Sequence, residues 1–435
     1  MELQAALVLV ILFAITLSLK VPVSFSIITS SLVTIIMFLT PKFGMFTAAQ
    51  KLVTGIDSFS LLAVPFFILA GQLMSSGGIA RRIINLAMLV VGKVPGSLAL
   101  ANIAGNALFG SLSGSGIAAA TAIGGVLNPM EKEQGYDDGF SAATNIATAP
   151  VGQLIPPTNA PIVYSAAAGG TSVATLLMAG WIPGLLWAAI CMAVAFIYAK
   201  KHGYVVTQRT KTSARQAVKV IWDAIPSLFL IVIIIGGILS GLFTPTEASG
   251  VAVIYAFILS VFVYKSIPLA EIKKVCVNAG MMTTIIMLII GASSVLSFVL
   301  SFTGLPQAIS HALLGFSSNR IVILLLINVI LLVVGTFMDM APALMIFTPI
   351  LLPVAKSVGM DAVQFGVMMI MNLAIGTVTP PVGSVLFVGC SIASLKIEQV
   401  IRKLIPYFAA IIAALLFVTF CPAVSEWLPR AFGMM

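Results

Sequence analysis

Four short runs in this sequence combine residue types that can hold an ion stripped of its water. Gly110-Ser111-Leu112-Ser113-Gly114-Ser115 and Gly335-Thr336-Phe337-Met338-Asp339-Met340 put small and polar residues in the middle of long apolar stretches. Pro150 to Asn159 (PVGQLIPPTN) and Ala374 to Gly383 (AIGTVTPPVG) each carry a double proline, Pro156-Pro157 and Pro380-Pro381. A double proline removes two backbone donors and clashes with the preceding turn, so it breaks a helix. Carbonyls freed at such a break, together with nearby hydroxyls, are the neutral oxygens that a dehydrated sodium ion needs. One candidate cage joins Ser113, Gly114 and Ser115 to Gly152, Ile155 and Pro156. Its counterpart joins Gly335, Thr336, Met338 and Asp339 to Gly376, Thr377 and Thr379. Just past the breaks, half-helix N-termini expose donors and partial positive charge that suit a carboxylate. Thr158, Asn159 and Ser384 add side-chain donors there. Asp339 is the acid expected at a mid-membrane tip, where a carboxylate is expensive and therefore a functional candidate. Two plainer readings stay open: Gly and Ser also permit close helix packing in lipid, and Asp339 can serve as a helix cap.

The elements that must position these residues follow from composition. Of 435 residues, 60% are hydrophobic and 8% charged, and mean hydropathy is +1.16. A soluble domain carries about a quarter charged residues, so a water-solvated surface is excluded. At roughly 20 residues per crossing, the chain has room for about ten crossings plus loops. The net charge of +9 comes from basic residues in the short loops between apolar segments, where they set topology rather than bind nucleic acid. Cysteines 191, 276, 390 and 421 are scattered singly, without metal or redox spacing.

Apolar spans are predicted at 3–19, 23–39, 57–75, 174–199, 221–243, 246–264, 278–303 and 400–421. The first lacks a basic n-region and a small-residue cleavage site and reads as a retained helix. Residues 97–130 and 320–356 read as re-entrant hairpins, and 139–170 and 362–395 as helices broken at mid-membrane. With the linker 200–219 in the cytoplasm, 17 basic residues fall inside and 5 outside, and both termini face the periplasm.

The glycine-rich tips align at a shift of 225 residues and the double prolines at 224. Amphipathic segments at 79–92 and 304–316 precede the two hairpins. Each half crosses the membrane an odd number of times, so the halves are inverted, as in secondary transporters. The predicted fold class is an all-α polytopic membrane protein, an inverted-repeat secondary transporter with two re-entrant hairpins and two broken helices. Its divisions are scaffold helices at 1–56, a first repeat at 57–199, a cytoplasmic linker at 200–220, scaffold helices at 221–277 and a second repeat at 278–435.

With Val64-Pro65-Phe66-Phe67 upstream, Gly110 to Gly116, Pro156 to Asn159 and Thr379 to Gly383 resemble the large membrane subunit of tripartite ATP-independent periplasmic (TRAP) transporters, the DctM-like family. The resemblance covers essentially the whole chain. It implies a sodium-coupled, elevator-type importer in the bacterial inner membrane, with sodium ions and no other cofactor. It implies a small four-helix membrane subunit and a periplasmic substrate-binding protein as partners. The implied substrates are organic acids such as C4-dicarboxylates, sialic acids and other sugar acids.

Three other readings are weaker. A proton-coupled elevator transporter without partner subunits differs by its lack of sodium dependence. An intramembrane enzyme needs a catalytic dyad or metal cluster at membrane depth, and Asp339 has no such partner in the sequence. A channel or a membrane scaffold leaves the paired breaks unexplained. Glu131, Glu133, Asp137 and Asp138 with Lys132 read as a solvated cytoplasmic loop, Asp57, Asp223 and Glu247 as span ends, and His202 and His311 as lone interfacial residues.

Overall fold

A computed structural model of the chain describes every residue except 1, 20, 39–40, 93, 205–212, 305–306, 309–314, 316 and 318. The described residues form helices joined by short turns, with no strand among them. Among the described residues, eight helical segments are long and apolar enough to cross a membrane, and four more apolar helices are shorter.

Helices Glu2–Ser18 and Val23–Phe38 match the first two predicted spans. The helix Pro41–Thr54 was not anticipated, because Lys42, Gln50 and Lys51 dilute its apolar character. Ala63–Ser76 packs against Pro245–Phe257 and Leu269–Phe302. The amphipathic segment at 79–92 forms the helix Ile79–Val91, which buries Ile79, Ile83, Ile84, Ala87 and Met88 on one face. Its counterpart at 304–316 falls largely outside the described residues, as do residues 205–212 of the linker 200–219. The next helix, Ala214–Leu239, starts inside that linker.

Several predicted spans are subdivided or extended. The span at 174–199 is two helices, Val173–Ala179 and Trp181–Lys201, meeting at Gly180. A Cβ on Gly180 would strike the Leu154 carbonyl, so only glycine lets this junction touch the first break. The span at 246–264 closes in a π-helical turn, Ile258–Val263. The span at 278–303 starts earlier, as the 34-residue helix Leu269–Phe302. At 1.5 Å per residue it is about 51 Å long, well beyond the roughly 30 Å hydrocarbon core. Its first turns carry Glu271, Lys273 and Lys274, the charges expected of an end that leaves the membrane.

The two glycine-rich stretches fold as helix pairs with tight tips. Ser97–Ser113 and Gly116–Glu133 pack against each other about Gly114-Ser115. Arg320–Phe337 and Met340–Ser357 do so about Met338-Asp339. Both double-proline stretches interrupt helices. Asp138–Thr148 tightens into a 3-10 turn at Ala149–Gln153, and helix resumes at Ala160–Ala167. Ala362–Gly376 stops, and helix resumes at Ser384–Ala393. The Pro156-Pro157 and Pro380-Pro381 bonds are both cis. The first halves of these interrupted helices are the centre of the molecule: every residue from Gly139 to Thr148 and from Val363 to Gly376 is buried.

Candidate functional site

Each helix pair meets its interrupted helix through a glycine–glycine contact. Gly110 lies against Gly152 and Gly335 against Gly376, so closely that a Cβ on Gly152 or Gly376 would overlap the facing backbone. Buried asparagines tie the same elements together. Asn106 donates to Asn145 Oδ1 at 3.0 Å and to Thr148 Oγ1 at 3.0 Å. In the second half, Asn372 donates to Asn328 Oδ1 at 2.8 Å. These asparagines escaped the sequence reading, although an amide inside an apolar helix is itself a signal that it needs a partner.

Docked this way, the two tips converge. A cavity of about 300 Å³ is lined by Gly114, Ser115, Asn159, Asp339, Thr377 and Ser384, with Ile285 and Ile289 closing the opposite side. One wall is therefore built from both tips and both interruptions, and the other from the helix Leu269–Phe302. A second cavity of about 380 Å³ shares Asp339 and Ser384 and reaches Gly335, Thr336, Met338 and the start of helix Val23–Phe38. Neither cavity is lined by a Lys, Arg or His among the described residues.

A small cavity beneath the first tip is lined by Phe67, Ser113, Gly114, Pro157, Thr158 and Asn159. Thr158 is buried, and its hydroxyl oxygen has no hydrogen-bond partner. A buried hydroxyl left unpaired costs free energy, so a polar ligand there recovers something the fold gives up. Ser113 Oγ makes long contacts at 3.4 Å to the carbonyls of Gly110 and Ser115, while Ser115 Oγ accepts from the Ala118 amide at 3.3 Å.

At the second tip, Asp339 occupies the N-cap position, but its side chain makes no capping bond. It faces the cavity instead. Thr336, Thr377 and Thr379 donate their hydroxyl protons to the carbonyls of Val333, Ala374 and Ile375, each at 2.7 Å. This leaves oxygen lone pairs free to accept or to ligate. The remaining proposed positions sit elsewhere in the junction. Gly152 and Gly376 are packed backbone to backbone, and Ile155 lies with its side chain against Gly184. Pro156 is buried at the interruption.

The acidic cluster at the base of the first pair is only partly the solvated loop expected. Glu133 is exposed. Asp137 caps the next helix, accepting from Phe140 N at 2.8 Å, and pairs with Lys403 at 3.4 Å. Asp138 pairs with Lys132 at 3.2 Å. Glu131 is fully buried, the opposite of a solvated residue. His202 stacks on Tyr198, and His311 lies outside the described residues.

An all-helical membrane chain whose interrupted helices wall a central cavity is of the transporter class. Solved structures agree at the level of fold: the Alcanivorax borkumensis YdaH transporter superposes with a TM-score of 0.60 at 13% identity, covering 90% of each chain. The sequence carries the assignment further. Residues 9–424 match the family model described as the tripartite ATP-independent periplasmic transporter, DctM component. The sialic acid TRAP transporter large permease SiaM of Vibrio cholerae is 39% identical over 94% of this chain and 95% of its own. The C4-dicarboxylate large permease DctM of Rhodobacter capsulatus is 37% identical over 89% and 91%. YgiK of Salmonella typhimurium is 47% identical over 97% and 96%. The chain belongs to the DctM family of TRAP transporter large permeases. It is a transport component and not an enzyme.

Proposed function

We propose that this chain is the membrane-embedded transport subunit of a sodium-coupled importer of an organic acid anion in the bacterial inner membrane. In this reading a periplasmic binding protein delivers the substrate, and a small four-helix membrane subunit completes the complex. The observation that carries the reading is the cavity where both tips and both interruptions meet, with no basic side chain among the described residues that line it. An anion held there depends on backbone donors, hydroxyls and amides, and on the charge of co-bound cations. Sodium at Ser113 to Ser115 with the first interruption, and at Gly335 to Asp339 with the second, supplies that charge. Thr158, Asn159 and Ser384 then orient the carboxylate.

The two helix pairs and their interrupted helices are an inverted repeat that moves as one body. The helices at 2–18, 23–38 and 214–263 stay fixed as the scaffold. The names of the Vibrio and Rhodobacter relatives favour sialic acids and C4-dicarboxylates as the substrate classes to test first.

The experiment is uptake of labelled C4-dicarboxylates, sialic acids and other sugar acids into proteoliposomes, each partner omitted in turn. Uptake should require a sodium gradient and both partners. Uptake driven equally by a proton gradient in sodium-free buffer overturns the ion assignment. Uptake by the chain alone overturns the tripartite one.

A further inference from the structure

Glu131 is the one acidic residue of the helix Gly116–Glu133 that the fold shuts away from water, with 0% of its surface exposed. Neither carboxylate oxygen makes a hydrogen bond of normal geometry. The neighbours that face it are neutral: Asn102 from the first arm of the pair and Ser141 from the interrupted helix. The Asn102 side-chain amide nitrogen and the Ser141 hydroxyl are themselves buried and otherwise unpartnered.

Among the described residues, no cation partners Glu131. Lys132 pairs with Asp138 and Lys403 with Asp137, on the outer side of the same turn. Arg82, on the helix Ile79–Val91 that packs against this one, lies over the Tyr264 ring at 3.5 Å, and Arg81 beside it is exposed. Helix Ser384–Ala393 brings Cys390, a neutral thiol. Helix Ile397–Phe420 carries Tyr407, close enough to Glu131 for their charges to interact, but Tyr407 shares its hydroxyl with Thr144 at 2.7 Å. Cys191 and Tyr198 on Trp181–Lys201 complete the titratable groups around that tyrosine.

An ionised carboxylate without a cation partner is among the most costly groups to bury, and a proton removes the cost. We propose that Glu131 is a proton-binding site. Its neutral carboxylic acid bridges the two arms of the first helix pair and the first half of the interrupted helix, and loss of the proton loosens that unit. The proton can serve both neighbours: the acid hydroxyl donates to Ser141 Oγ, and the carbonyl oxygen accepts from Asn102 Nδ2. Burial pushes the carboxyl up to about 8, with Ser141 and Asn102 opposing part of that rise. The folded protein then holds more protons at Glu131 than the unfolded chain between the ordinary glutamate range and about pH 8. Its contribution to stability therefore falls as pH rises through that window.

Infrared difference spectroscopy of the purified full-length chain, titrated from pH 6 to 10, tests this. The carbonyl band of a protonated carboxylic acid should disappear with a midpoint near pH 8, and Glu131→Gln should lack that band. Melting temperature should fall with pH more steeply in the wild type than in Glu131→Gln. Ser141→Ala supplies a second variant: the hydroxyl that accepts from the acid can turn and donate a stronger, charge-assisted bond to the anion, so its loss should move the midpoint of the band upward. One pH unit above its midpoint about a tenth of the acid form remains. The proposed transport reading enters only in a further arm: uptake should drop about tenfold there in the wild type and not in Glu131→Gln. A band unchanged in Glu131→Gln, or identical thermal pH profiles, overturns the proton site. A loss of the uptake arm alone counts against the coupling to transport and leaves the spectroscopic result standing.

Discussion

Gly152 lies with its backbone flat against Gly110, and a Cβ added to Gly152 would overlap Gly110 Cα and the Ser111 nitrogen. Gly152→Ala must therefore push the first helix pair off its interrupted helix. Overpacking of this kind costs typically 1–3 kcal/mol. The expected outcome is a lower melting temperature and loss of uptake. Gly125→Ala, a helical position where a Cβ meets nothing within 4 Å, is the control and should be silent. Equal behaviour of the two variants rules out the docking geometry.

Asn328 and Asn372 form the corresponding tie in the second half, the Asn372 amide also reaching the Asn328 carbonyl at 3.1 Å. Asn328→Leu leaves a buried amide without its side-chain partner, a loss of about 1 kcal/mol. In a double-mutant cycle with Asn372→Leu, the two changes should be markedly less than additive. Simple additivity of the melting shifts counts against the pair.

Thr158→Val separates structure from ligation. The Thr158 hydroxyl has no protein partner, so the substitution removes no hydrogen bond and should leave stability unchanged or slightly raised. If the hydroxyl serves bound sodium or substrate, the concentration for half-maximal uptake should rise, by about tenfold for one lost ligand interaction of 1.4 kcal/mol. Unaltered transport removes Thr158 from the site.

Ser113→Ala and Thr379→Ala should raise the sodium concentration needed for half-maximal uptake. Effects will be mild where only the backbone carbonyl ligates, and Gly114→Val and Gly376→Val are then the sharper probes. Sodium dependence unchanged in all four variants removes both cages.

The charge asymmetry predicts the placement of loops. In a background lacking the four native cysteines, Thr210→Cys should be shielded from an impermeant thiol reagent on intact spheroplasts, and Met434→Cys should react. The reverse pattern inverts the topology.

Much of this arrangement was legible in the chain because its signals are local. Pro156-Pro157 and Pro380-Pro381 break helices whatever surrounds them, and Ser113 to Ser115 is conspicuous against hydrocarbon. What was hidden depended on tertiary contact. Glu131 sits in a run of four acids and a lysine, and nothing in that run says that Asn102 and Ser141 close over one member. The helix Pro41–Thr54 has too little apolar character to read as a span, yet it packs on Leu269–Phe302. The break at Gly180 was invisible because the need for glycine comes from the distant Leu154 carbonyl. Asp339, open as a cap from sequence, was resolved only by where its side chain points.

Ile285, Ile286 and Ile289 give the cavity a wall of branched hydrocarbon facing the polar tips. Hydrogen bonds have direction and must be broken one at a time when two surfaces slide, whereas dispersion contacts are individually tiny and have no orientation to lose. A wall of isoleucine therefore acts like a dry bearing. For the rigid-body motion proposed above, it lets the opposite face sit at different heights along the same helix with little friction, while offering water nothing to hold on to.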